Sequence, residues 1–142
     1  MPDFKIGVVQ YHVQTGNIKQ NLNQVQDILN QSFTTESNKL DLLLLPEMGL
    51  TGFQYSKLSQ LAEKSESAVN KLSKITAPFA EAVAVSLPVQ ISNDKIVNRL
   101  MVRSAADTLA SYDKIHCIGH NRFRETDYFF AGKLPVAFEY KG

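Results

Sequence analysis

Residues 40–53 read Leu-Asp-Leu-Leu-Leu-Leu-Pro-Glu-Met-Gly-Leu-Thr-Gly-Phe. Leu40, Leu42, Leu43, Leu44 and Leu45 form an almost unbroken apolar run stopped by Pro46. A run that does not alternate with polar residues suits a strand covered on both faces. Pro46-Glu47 then sits just beyond that strand, and the carboxyl ends of strands are where sites form in open α/β sheets.

Upstream, Phe4 to Val13 is rich in β-formers and bounded by Thr15-Gly16-Asn17, which predicts an opening strand. Asn17 can cap a helix in which Ile18, Leu22, Val25, Leu29 and Phe33 recur at helical intervals. Strand, amphipathic helix and buried strand together open an α/β fold.

Downstream, Ala68, Val69, Leu72 and Ile75 predict a second helix ending near Pro78. Strands are expected over Ala82 to Ile91 and Ile96 to Arg103, joined by an Asn93-Asp94 hairpin turn, and from Thr108 into Lys114. Gly119 to Gly132 reads as a long surface loop, and loops of that length usually serve a site. Val136 to Tyr140 is a last strand candidate that lacks a hairpin partner.

With 142 residues, 44% apolar and 20% charged, the sequence suits one soluble globular domain. A formal net charge of +1 provides no bulk field for nucleic acid or an anionic membrane, and neither is an expected partner. Cys117 is the only cysteine, which excludes an intrachain disulfide and fits a reducing compartment. The start, Met1 to Gln10, has no signal-peptide pattern, and no apolar stretch is long enough to span a bilayer. A cytoplasmic protein is expected.

Glu47 is placed for acid-base work, although position alone favours an ordinary solvated loop glutamate. Lys114 closes another strand, where an ammonium can stabilise a developing oxyanion; alone it would read as a surface lysine. His116, Cys117 and His120 do not complete a tetrahedral metal set, and Gly119 disfavours the helix their spacing needs. No metal or cofactor is expected. If the lysine strand continues, Cys117 faces away from Lys114 and serves as a small apolar filler.

Taken together, the motifs carry more than their members do. Leu42 to Phe53 resembles the catalytic-glutamate motif of the nitrilase (carbon-nitrogen hydrolase) superfamily, and Tyr112-Asp113-Lys114-Ile115-His116 resembles its catalytic-lysine motif, in the family's order. Supporting matches are Gln10, Gly16-Asn17, Asn21, Asn98 and Arg122 to Phe129, within which Glu125 matches the family's second glutamate.

The resemblance implies an α/β fold, the four-layer αββα sandwich, with residues 1–142 as a partial domain amounting to its N-terminal half or slightly more. It also implies hydrolysis of small amides by a Glu-Lys-Cys mechanism. Glu47 would be the general base and Lys114 the oxyanion stabiliser, while Glu125 would position the substrate or the lysine.

The family's nucleophilic cysteine follows a strand like Val136 to Tyr140, so that member of the triad is not expected among these residues. The chain is then expected to be inactive alone, and to act on a small amide when complemented by the C-terminal half of the same fold. A homo-oligomer is the other expected assembly. The rival expectations are a non-catalytic remnant or binding module, and a shortened reading frame. Ser104 to Asp107 replaces the family's Gly-rich turn, and no glycine stands near Ser86-Leu87.

Overall fold

A computed structural model describes residues 3–33, 39–120, 122 and 124–141. Among them β1 (Ile6–Val8), β2 (Leu40–Leu44), β3 (Ala80–Ser92), β4 (Lys95–Arg103) and β5 (Thr108–Asp113) form one sheet in sequence order. β1, β2 and β3 run parallel, and β4 and β5 turn back antiparallel. The parallel joins need crossovers, supplied by α1 (Ile18–Ser32) and α2 (Leu58–Thr76). Ser92 and Lys95 pair across the Asn93-Asp94 turn, as the sequence predicts.

Both helices cover the same face of the sheet. Val25 and Leu29 of α1 and Val69 and Leu72 of α2 are fully buried with Leu43, Val83, Val85 and Leu87. Each such side chain contributes about 1.5–3 kcal/mol by leaving water. Asn17 caps α1 by accepting the Gln20 N–H at 3.1 Å.

The opposite face is apolar and only partly covered. Leu42, Leu44, Ala82, Ala84, Val102 and Ala110 lie there with Tyr140, while Ile6, Val8 and Leu100 remain exposed. One α layer on one sheet is therefore present, and no second sheet occurs among the described residues. No helix among them is long and apolar enough to cross a membrane.

Several boundaries differ from the sequence reading. β1 covers only Ile6–Val8 of the Phe4 to Val13 span, because its sole neighbour, β2, runs into Leu45 and Pro46, which offers no ladder donor. α2 begins at Leu58, ten residues before the predicted apolar repeat, after a 3-10 turn at Tyr55–Lys57. Within the Gly119 to Gly132 loop lies one helical turn, α3 (Glu125–Tyr128).

Val136 to Tyr140 is not a strand. It crosses the open face of the sheet instead of pairing with it. Phe138 lies beside Leu100, Val102 and Ala110, the Tyr140 hydroxyl donates to the Asp41 carbonyl, and Lys141 pairs with Asp41 and Glu81. No neighbouring strand is present among the described residues to complete a ladder.

Candidate active site

The end of β2 delivers Glu47 through a tight double turn. The Gly49 N–H donates to the Pro46 carbonyl, and the Thr51 and Gly52 N–H groups donate to that of Met48. Met48 takes φ +51, a left-handed conformation that costs a side-chain-bearing residue about 1–2 kcal/mol. The neighbours hold it there. Its N–H donates to Ser86 Oγ at 2.8 Å, and its fully buried side chain packs with Leu58, Ala62, Ile96 and Phe129. Gly52 at φ +61 closes the turn where a Cβ would meet the backbone of Thr15 at 3.0 Å.

Two more polar side chains tie this turn to the layers below it. Tyr11 donates its hydroxyl to the Gly49 carbonyl at 2.6 Å, and burial pushes its pKa up to about 12. Asn21, fully buried, donates to the Leu50 and Gln14 carbonyls and accepts the Gln14 N–H.

β5 delivers Lys114. Its backbone N–H donates to the Asn98 carbonyl, and its Nζ donates to Glu47 Oε1 at 2.8 Å and to Glu125 Oε1 and Oε2 at 3.0 and 2.9 Å. Glu47, Lys114 and Glu125, separated in sequence by up to 78 positions, thus meet in one cluster. Burial pulls the lysine pKa down, but the hydrogen bonds to Glu47 and Glu125 outweigh it, and the net shift is upward. The ammonium stays charged.

The three members differ in exposure. The Glu125 side chain is 2% exposed, Lys114 21% and Glu47 48%. Only Glu47 presents itself freely to an incoming molecule. Glu125 also accepts the Ile118 N–H at 2.8 Å, which fixes the loop after β5.

Asn98, buried on β4, donates its side-chain amide to Glu47 Oε1 at 2.8 Å. Oε1 therefore receives both Asn98 and Lys114, and Oε2 is the carboxylate oxygen left for chemistry. Sequence reading marks Asn98 as a match without a role. Ser86 and Tyr11 it misses altogether, because a hydroxyl that satisfies a distant turn leaves no local spacing signal.

β5 ends at Asp113, so the condition on which the sequence reading turns Cys117 away from Lys114, a continuing strand, is not met. The thiol packs with the Met48–Phe129 cluster, and Sγ lies 3.9 Å from the Lys114 carbonyl. Burial pushes its pKa up and Glu125 reinforces the shift, against a smaller opposing effect of Lys114. A neutral thiol is a poor nucleophile. His116 is exposed, and no group of three or more metal-ligating side chains occurs among the described residues. The predicted match at Phe123 lies outside them.

The carbon-nitrogen hydrolase family model matches residues 5–141. The chain belongs to the carbon-nitrogen hydrolase family. Solved structures share its fold: a glutamine-dependent NAD+ synthetase from Acinetobacter baumannii, at TM-score 0.81 and 23% identity, is matched over 98% of this chain and 26% of its own. XC1258 from Xanthomonas campestris, a CN-hydrolase superfamily protein with an arsenic adduct in its active site, gives 0.81 and 24%, with coverages of 100% and 51%. A glutamate-to-glutamine variant of the amidase from Nesterenkonia sp. AN1, carrying acrylamide added at its active-site cysteine, gives 0.79 and 22%, with 99% and 54%. This carbon-nitrogen hydrolase chain thus spans about half the length of two of these structures and a quarter of the third. A comparison with curated proteins finds no match.

Proposed function

We propose that the chain supplies the base and the oxyanion stabiliser of an amidase-type carbon-nitrogen hydrolase acting on small amides. The observation that carries this reading is the single ammonium of Lys114, just past β5, held between half-exposed Glu47, just past β2, and buried Glu125 of α3. The family membership and the amidase with an active-site cysteine support it. The nucleophilic thiol comes from residues outside these 142, because Cys117 is packed, partly buried, against an apolar cluster and its pKa is raised.

In this mechanism Glu47 Oε2 takes the proton of that thiol, and the thiolate attacks the amide carbon. Lys114 stabilises the oxyanion that develops, while Glu125 keeps the ammonium charged and in place. The tetrahedral intermediate collapses as Glu47 returns its proton to the departing ammonia, leaving a thioester. Water, deprotonated by Glu47, then attacks the thioester to release the carboxylic acid and restore the thiol.

The uncovered sheet face supports assembly as well. Ile6, Val8, Leu100 and Phe138 are each more than a third exposed on a surface that a second sheet would bury. In this reading the 142 residues alone are inactive and associate, either with the remainder of the sandwich or with another copy. The cytoplasm is the proposed setting, since the cysteine chemistry needs a reduced thiol.

The test is ammonia release from short aliphatic amides by the 142 residues combined with a cysteine-bearing C-terminal half. Activity lost in both Glu47→Gln and Lys114→Ala is the expected result. A folded, cysteine-containing assembly that releases no ammonia across the panel would sink the proposal.

A further inference from the structure

On the solvent side of the helix layer α1 and α2 enclose an open groove of about 710 Å3, whose lining includes none of Glu47, Lys114 and Glu125. Its floor is apolar: Leu61 and Ala68 are buried at the bottom, and Ile18 and Ile75 are half-buried along it. Around it stand Lys19, Lys64, Lys71 and Lys74, all exposed. Among the described residues no carboxylate lines the groove. None of the four ammonium groups is ion-paired among the described residues, and Glu66, on the same helix, is turned to Arg103 at 3.8 Å.

This concentration of charge is not a reflection of the whole chain, whose net charge is only +1. Lys71 and Lys74 are three positions apart on α2 with no opposite charge interposed, an arrangement that disfavours the helix slightly. Their alkyl stems can lie along an apolar occupant while the ammonium groups flank it.

The shape and chemistry narrow the occupant. A trough between two packed helices accepts the side-chain ridge of a third helix. A bilayer is flat and would not enter it. Among the described residues the lining has no arginine or aromatic side chain, the usual means of gripping phosphate and bases. We propose that the groove binds an acidic amphipathic helix of a protein partner. Its apolar ridge lies over Ile18 and Ile75, and its flanking carboxylates meet the four lysines.

The probe is a fluorescein-labelled amphipathic peptide of about 18 residues, similar in span to α2, with leucine on one face and glutamate on the other. Anisotropy is read against the 142-residue chain at low and physiological salt. Binding is expected to weaken about tenfold or more with Lys71→Glu/Lys74→Glu, and likewise with Lys19→Glu/Lys64→Glu. Lys95→Glu, distant on β4, should leave it unchanged. Circular dichroism checks that each variant keeps its helices.

Equal binding by the paired variants would overturn the proposal, as would no binding by the unmodified chain. So would binding to phosphatidylglycerol vesicles without binding to the peptide, or concentration-dependent self-association abolished by the same lysine reversals. None of these readouts depends on amide hydrolysis, so the proposal can fail while the catalytic reading stands.

Discussion

Asn98 donates its side-chain amide to the same Glu47 oxygen that receives Lys114, each at 2.8 Å. One oxygen is saturated and its twin is left free. Asn98→Asp would exchange that donor for a second carboxylate facing the first. In the assembly proposed above we expect kcat/KM for a small amide to fall about 10²-fold, as for other losses of a positioning contact. Asn98→Ala, which only removes the donor from a half-exposed carboxylate, should cost about 1 kcal/mol of stability by urea titration. An Asn98→Asp variant with full activity would show that Glu47 does not depend on this contact.

Among the described residues Lys114 is the sole ammonium on the buried Glu125 side chain. Lys114→Met should therefore destabilise the chain by roughly 3 kcal/mol, because a buried carboxylate loses its partner. Adding Glu125→Gln should restore much of that loss, which a double-mutant cycle in urea would read. Since the folded lysine pKa is raised, the bridge contributes fully below the unfolded value of about 10.4 and weakens as pH rises through the folded value. The stability gap between the unmodified chain and Lys114→Met should accordingly be flat just above neutrality and narrow in strong alkali.

Cys117 should behave as packing. With its pKa raised by burial, it is expected to react with iodoacetamide at pH 8 more slowly than a free thiol such as N-acetylcysteine. Cys117→Ala should leave ammonia release by the proposed assembly within about twofold, since among the described residues the thiol packs on the apolar cluster and a backbone carbonyl. Rapid alkylation coupled to loss of activity would point to the thiol as a participant.

What the sequence disclosed and what it hid follow a physical division. β2, α1 and the β3–β4 hairpin were legible because burial on one or both faces imposes a period on the residues themselves. Glu47 and Lys114 were legible as motifs at strand ends. The contacts that aim them were not. Ser86 on the Met48 N–H and Tyr11 on the Gly49 carbonyl span 38 positions each, and such pairs exist only once the sheet has formed. Val136 to Tyr140 carries a strand's composition, but a strand requires a ladder partner as well, and the structure lays this segment across the sheet face instead.

Gly132 supports the lysine from the other side. Its N–H donates to the Lys114 carbonyl at 2.9 Å, and a Cβ at this position would fall 2.0 Å from the Asp113 carbonyl oxygen. That neighbour is backbone, and Asp113 is further held by a two-pronged pair with Arg99 at 2.6 and 2.9 Å. It has little freedom to yield, so Gly132→Ala should push the segment off the end of β5 at a cost on the order of 2–3 kcal/mol. Gly119→Ala is the matched comparison. Its Cβ would meet the Thr126 hydroxyl at 2.7 Å, a side chain that can rotate away, and the loss there should be smaller. Urea midpoints of the two variants measure the difference directly. If Gly132→Ala proved the milder change, the lysine would not be fixed by this close backbone approach, and its position would rest on Glu47, Glu125 and the Asn98 carbonyl.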